Sequence, residues 1–190
     1  MKVGLFFGSF NPIHVGHLIL ANVAVESTDL NKVCFVVSPQ NPFKKRSSLL
    51  HEFDRLDMVR AAIHDNPNFE VSDIEFRLPQ PSYTIDTLTY LQEKYPKRRF
   101  ALLMGEDNLA HFHKWKNYEQ ILEYYELYVY PRPHTPEHGF REHPKVHYIE
   151  APLLDISATY IRQCIQEGRS IRYMVTEPVA ELIYSRKYYH

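Results

Sequence analysis

The sequence predicts an α/β domain built on a parallel β-sheet, and three observations carry that prediction. Short apolar runs alternate with helical periodicities along the whole chain, with no internal repeat and no low-complexity tract. Strands joined by helices imply a parallel sheet with right-handed crossovers. The 190 residues are 44% hydrophobic and 24% charged, the balance of a soluble globular chain long enough to bury a substantial core as one domain, 1–190. Finally, the first apolar run, Val3-Gly4-Leu5-Phe6-Phe7, passes through a turn carrying two glycines and two histidines straight into a helical pattern. That places the turn at the carboxyl ends of the strands, where α/β sheets bind ligands.

The elements follow in order. After strand one, Leu18, Ile19, Ala21, Val25 and Leu30 read as an amphipathic helix with a core-facing stripe. Lys32 to Val37 reads as a second buried strand, followed by a loop of Pro39, Asn41, Pro42 and Lys44-Lys45-Arg46. Phe53, Leu56, Val59 and Ile63 recur at helical spacing, and Phe69 to Leu78 reads as a strand ending at Pro79. A helix from about Thr84 carries Ile85, Leu88, Leu91 and Tyr95 on one face, with Ser82 or Thr84 as its cap. Phe100 to Met104 is a buried strand stopped by Gly105, and short helices are expected at Asn108–Phe112 and Tyr118–Tyr124. Leu127 to Tyr130 and Val146 to Ile149 are strands separated by a Pro- and Gly-containing stretch. Ser157 caps a helix reaching Glu167 with Gly168 past its end, and Thr176-Glu177-Pro178 opens a last helix. The helices of about 157–190 are expected to pack on the main sheet.

Charge and cysteine usage narrow the function. A net charge of -1 argues against a duplex-DNA binder. No apolar run approaches the roughly 20 residues that span a bilayer. The chain runs directly into strand one, so no signal peptide is expected. Its two cysteines, Cys34 and Cys164, form no Cys-x-x-Cys pair and read as buried small apolar residues in a reducing, cytoplasmic setting. The six histidines from His111 to His147 lack a paired i, i+4 arrangement on one clear helix, so no metal site is expected. The tyrosines of that region are better explained by packing than by base stacking on nucleic acid.

The turn itself, Gly8-Ser9-Phe10-Asn11-Pro12-Ile13-His14-Val15-Gly16-His17, points to phosphate handling. Glycine lets the backbone approach a ligand closely, and amides at a helix N-terminus suit an anion. His14 and His17, three residues apart at a helix start, face the same way and can both hydrogen-bond one phosphate group. Four further clusters could join it. The basic loop Pro39 to Arg46 lies on the same edge of the sheet, although such loops are usually solvated surface. Ser82-Tyr83-Thr84-Ile85-Asp86-Thr87-Leu88 opens a helix whose first-turn amides could receive a carboxylate. Met104-Gly105-Glu106-Asp107-Asn108 is followed by Trp115-Lys116, a lone tryptophan between charged residues. Ser157-Ala158-Thr159-Tyr160-Ile161-Arg162 gathers hydroxyls, first-turn amides and a guanidinium where a helix dipole favours an anion; alone it would be an ordinary capped helix.

These blocks, in this order from residue 3 to residue 162, resemble the nicotinate-nucleotide adenylyltransferases of the HxGH nucleotidyltransferase superfamily. The resemblance implies a doubly wound, dinucleotide-binding-like (Rossmann-like) sheet and the transfer of the adenylyl group of ATP to nicotinate mononucleotide. His14 and His17 would then stabilise the transition state at the α-phosphate, with backbone amides of Gly8, Ser9 and Phe10 beside them and Asn11 on the mononucleotide. The Ser157 to Arg162 segment is similar to the family's ISSTxIR motif, with Ala158 in place of the second serine. It implies Ser157, Thr159 and Arg162 on the β- and γ-phosphates. The family's Pro-Pro-His-Lys element maps onto the basic loop with Phe43 in place of the histidine, so only Lys44 carries over as a phosphate contact. The SYTIDTL block matches residue for residue and implies Thr84 and Ile85 in the pyridine mononucleotide pocket. The GxD element and tryptophan imply Gly105 and Asp107 at the ATP ribose, Trp115 stacked on the pyridine ring and Lys116 beside it, with Glu106 neutral. Arg132 matches a family arginine on the adenine side, although a solvent arginine is nearly as good a reading. Mg2+ is expected to arrive with ATP, with no dedicated metal residues. The rival activities are a nicotinamide-mononucleotide or a phosphopantetheine adenylyltransferase, or a nucleotide-binding sensor without catalysis.

Overall fold

The structure, a computed structural model, describes residues 1–39, 49–133 and 135–190. Six parallel strands form one sheet in the order β3-β2-β1-β4-β5-β6. They are β1 (Lys2–Gly8), β2 (Lys32–Val37), β3 (Phe69–Ser72), β4 (Arg99–Gly105), β5 (Glu126–Tyr130) and β6 (Val146–Tyr148). The chain builds outward from β1 to β3, returns, and builds outward the other way from β4 to β6. The order therefore reverses between β1 and β4, and the crevice at their carboxyl ends is where such sheets bind nucleotides. The doubly wound, Rossmann-like expectation holds.

Alternation along each strand divides the core into two layers, because successive side chains leave a strand on opposite faces. Phe6, Val33, Phe35, Val37, Ala101, Leu103, Tyr128 and Tyr130 face one layer. It is closed by α1 (Val15–Ser27), α2 (Glu52–Ile63), α6 (Ala158–Gln166) and α7 (Glu177–Ser185). Val3, Leu5, Val36, Phe100, Leu102, Met104, Leu127 and Val129 face the other. That layer is closed by α3 (Thr84–Lys94), α4 (Glu106–Ala110) and α5 (Tyr118–Tyr124). Cys34 and Cys164 are both buried and free, one in each layer, so the sheet lies between them.

Four details depart from the sequence reading. First, the sheet-facing residues of α1 are Leu20, Ala21 and Ala24, while Ile19 is 36% exposed. Apolar residues surround this helix, so their pattern does not choose a face, and the small alanines bring the helix closest to the sheet. Second, Phe53 and Tyr95, assigned to core stripes, are exposed; Phe53 instead packs edge-on to Phe76 at 5.2 Å. Third, the strand expected over 69–78 stops at Ser72, and a 3-10 turn follows at Ile74–Phe76. Ser72 Oγ accepts the Ile74 N–H at 3.3 Å and draws the backbone off the ladder. Glu75 turns inward and accepts a bond from Thr87 Oγ1 at 3.0 Å. Fourth, the helix expected over 108–112 starts at Glu106, directly on the end of β4, where Glu106 and Asp107 suit the positive end of the helix. A 3-10 turn at Phe112–Lys114 follows it.

Candidate active site

The β1–α1 turn is organised by what it buries. Phe10 adopts a left-handed φ of 45°, and its ring is held among Phe6, Phe35 and His17 at centroid distances of 5.9, 5.6 and 5.1 Å. This buried ring pins an unfavourable backbone conformation, which leaves only the Phe10 backbone available to a ligand. Arg55 of α2, fully buried, donates to the Ser9 carbonyl at 2.5 Å. Because C=O and N–H point oppositely across a trans peptide, the Phe10 N–H faces away from Arg55.

His14 and His17 come together as their spacing predicts, with ring centroids 3.7 Å apart and planes tilted by 31°. His17 Nδ1 accepts the His14 N–H at 3.2 Å. That bond assigns the proton of a neutral His17 to Nε2, which makes that nitrogen the donor of the ring. Gly16 lets the rings sit this close: a Cβ there would lie 3.0 Å from His14 Nδ1.

Burial, and secondarily the nearby Arg132 charge, lower the His14 pKa from 6.5 to about 4, so its imidazole is neutral at pH 7. His14 Nδ1 and Arg132 Nε are buried and have no hydrogen-bond partner among the described residues. Orphaned buried nitrogens flanking one crevice fit a site built for an anionic ligand. The depressed pKa also has a stability consequence. The unfolded chain takes up the His14 proton near pH 6.5, whereas the folded chain resists it until about pH 4. The associated stability is therefore complete above pH 6.5 and lost as the pH falls toward 4, by up to about 3 kcal/mol. Urea titrations across that range should show a shallower pH slope for His14→Gln than for wild type. Parallel slopes would mean that His14 is not held neutral.

Arg132 follows β5 and spans the adjoining wall. Its guanidinium carbon is 5.1 Å from the Tyr130 ring centroid, and its Nε is 3.9 Å from Asp107 Oδ1. Gly105 gives Asp107 its space, since a Cβ there would lie 2.3 Å from Asp107 Oδ1. Glu106 between them, read from the sequence as a substitution without effect, has a structural part: it is buried and accepts from Tyr148 at 2.8 Å, with His138 Nε2 at 3.6 Å. It ties the stretch after β5 to the end of β4.

The α6 motif reaches the same turn from the other side. Arg162 donates to the Asn11 carbonyl at 2.7 Å and to Thr159 Oγ1 at 3.3 Å. Ser157 Oγ accepts the Tyr160 N–H at 3.2 Å, the cap that the sequence predicts, so its acceptor role is taken up by the helix.

At the far end of the crevice the SYTIDTL and Trp-Lys blocks meet. Lys116 Nζ lies 2.9 Å from Asp86 and 4.8 Å from the Tyr83 ring centroid. Trp115 is half-buried against Phe112, ring centroids 5.0 Å apart. The cap of α3 is Tyr83, not Ser82 or Thr84, and no side chain caps the helix. The Tyr83 carbonyl takes the N–H groups of Asp86 and Thr87, leaving the amides of Thr84 and Ile85 as the ones an acceptor could reach. Lys44 lies outside the described residues.

Sequence reasoning missed two charged residues here. Arg55 bonds the carbonyls of Ser9, Ser38, Pro39 and Leu50, the last three at 2.8, 3.0 and 2.8 Å. Its one sequence signal is its place beside Leu56 in the apolar stripe of α2. Glu75 is buried beside Thr87, and burial raises its pKa against hydrogen bonds from Ser38, Thr87 and Ser82.

Comparison with known proteins shows what the chain resembles. A family model described as cytidylyltransferase-like matches residues 5–164. The chain is 65% identical over 189 residues to a probable nicotinate-nucleotide adenylyltransferase of Cytophaga hutchinsonii, covering 100% of this chain and 98% of the relative. It is 52% identical to one from Flavobacterium johnsoniae, covering 100% and 99%. Among solved structures, the nicotinic acid mononucleotide adenylyltransferase of Plasmodium falciparum complexed with NaAD superposes with a TM-score of 0.81. It shares 18% identity and covers 99% of this chain and 97% of that one, a likeness of fold alone.

Proposed function

The chain belongs to the cytidylyltransferase-like family and, within it, to the nicotinate-nucleotide adenylyltransferases, and from that membership we propose how its residues join ATP and nicotinate mononucleotide into deamido-NAD and pyrophosphate. The observation that carries the reading is the stacked His14–His17 pair, 3.7 Å apart in the reversal crevice of the sheet. The high identity to relatives of that name favours this activity over the nicotinamide, phosphopantetheine and sensor alternatives.

The mononucleotide's 5′-phosphate is already anionic at pH 7, so no general base is required. One of its oxygens attacks the α-phosphorus of ATP in line. The bond from that phosphorus to the α,β-bridging oxygen breaks, and its electron pair leaves with pyrophosphate. The protein's work is placement and charge compensation. His17, donating from Nε2, meets a non-bridging α-phosphate oxygen where negative charge builds. Neutral His14 adds a second donor, and the amides of Gly8, Ser9 and Phe10 line the same turn. Arg162 and Thr159, with Ser157 and Lys44, take the leaving β- and γ-phosphates. Gly105 and Asp107 receive the ATP ribose, and Arg132 the adenine side.

The amides of Thr84 and Ile85 receive the pyridine carboxylate, with Lys116 alongside; Asn11 contacts the mononucleotide and Trp115 stacks on its ring. Among the described residues no three His, Cys, Asp or Glu side chains converge as a metal cage. We read Mg2+ as part of the ATP substrate, held by phosphate oxygens and water. The whole of 1–190 acts as one catalytic domain. Two free thiols support a cytoplasmic setting. No helix among the described residues is long and apolar enough to cross a membrane.

Pyrophosphate release from ATP tests the substrate. Nicotinate mononucleotide should exceed nicotinamide mononucleotide by about ten- to a hundredfold in kcat/KM, the value of charge-assisted bonds to a carboxylate. Preference for the amide would reject the carboxylate pocket at Thr84.

A further inference from the structure

We propose that Tyr189 is a positioning residue for adenylyl transfer, its hydroxyl fixing Asn11 and through it the turn that carries His14 and His17. Asn11 is 5% exposed and lies where four segments meet. Its carbonyl accepts from Arg162 Nη1 at 2.7 Å. Its Oδ1 accepts from the Leu50 N–H at 3.2 Å and from Tyr189 Oη at 2.9 Å, a contact spanning 178 positions of sequence. Leu50 in turn passes its carbonyl to Arg55 Nε at 2.8 Å. The Tyr189 hydroxyl thus completes a network that ties the β1–α1 turn, the approach to α2 and the α6 arginine into one unit.

The backbone directs this hydroxyl to Asn11. Lys187 and Tyr189 have left-handed φ values of 52° and 66°, and the two consecutive tyrosine rings meet edge-on at 6.3 Å while their hydroxyls reach different partners. Tyr188 goes to α2, where it donates to Asp54 Oδ1 at 2.6 Å and accepts from Arg186 Nη1 at 3.0 Å. Tyr189 goes to the active-site turn. Burial raises the Tyr189 pKa despite the nearby charges of Arg162 and Arg55, so the hydroxyl keeps its proton and donates throughout the neutral range. Anchoring and positioning are therefore carried by neighbouring residues, and a pair of conservative variants separates them.

This inference rests on the adenylyl-transfer reading, and the experiment distinguishes their failures. Steady-state pyrophosphate release and thermal unfolding are measured for wild type, Tyr189→Phe and Tyr188→Phe. Loss of one positioning hydrogen bond should lower kcat of Tyr189→Phe about five- to tenfold, with both KM values within about twofold and Tm near that of wild type. Tyr188→Phe should show the opposite pattern, a lower Tm with kcat retained. Wild-type kcat in Tyr189→Phe would overturn the inference alone. So would a loss of kcat matched by Tyr188→Phe, because the segment would then act only through stability. A wild type that releases no pyrophosphate would remove the reading and the inference together.

Discussion

Replacing His17 with alanine lowers kcat by about two to three orders of magnitude while ATP affinity changes by no more than a few-fold. The magnitude is that of removing one preorganised donor from a site of developing charge. His17 is preorganised on three sides. The His14 N–H occupies its Nδ1, the His14 ring lies against its face, and Phe6 and Phe10 meet it edge-on at 5.9 and 5.1 Å. Alanine removes Nε2, and with Nδ1 the acceptor of the His14 N–H, but it keeps Arg162, Arg132 and the amides of Gly8 to Phe10, the groups proposed above to hold the ground-state triphosphate. Rates paired with equilibrium ATP binding check this. Equal losses in turnover and affinity would make His17 a binding residue only.

Replacing Arg55 with alanine destabilises the fold by about 3–5 kcal/mol, since it strands buried carbonyls and opens a cavity. For a chain of this length that lowers Tm by about 10 °C. The four carbonyls lie in three separate segments, at Ser9, Ser38–Pro39 and Leu50. A guanidinium serves them together because its five N–H groups fan out in a plane. Lysine offers one ammonium and should recover less than half of the lost stability. Thermal unfolding of Arg55→Ala and Arg55→Lys decides it; full recovery by lysine would show that charge, not the fork, matters.

What was legible in the sequence depended on range. Where the signal is local, it sufficed: β2 and α5 have the expected bounds, Ser157 caps α6, and Gly168 follows it at a φ of 66°. The His14–His17 pair was legible because three residues on one helix turn fix their relation. The resemblance put the Thr84 block and Trp115-Lys116 in one pocket, but the contact of Lys116 with Asp86 was not legible, since no local rule joins positions 30 apart.

The failures have physical causes. Arg55 reads as a surface charge because sequence does not show carbonyls converging from other segments. Glu106 reads as a substitution without effect because its partners, Tyr148 and His138, come from beyond β5. The strand over 69–78 fails because one serine hydroxyl competes with the ladder. The face of α1 was unreadable because apolar residues surround it.

The stereochemistry at the α-phosphorus tests the central claim most directly, which is that the two histidines stabilise a single in-line displacement and form no bond to phosphorus. The reaction would be run with one diastereomer of an ATP analogue carrying sulfur at the α-phosphate, and the configuration of the deamido-NAD product determined. One displacement inverts the phosphorus centre, and inversion is the result this account predicts. Retention would require two displacements, with the adenylyl group passing through a covalent intermediate on the protein. It would contradict the assignment of His14 and His17 as hydrogen-bond donors.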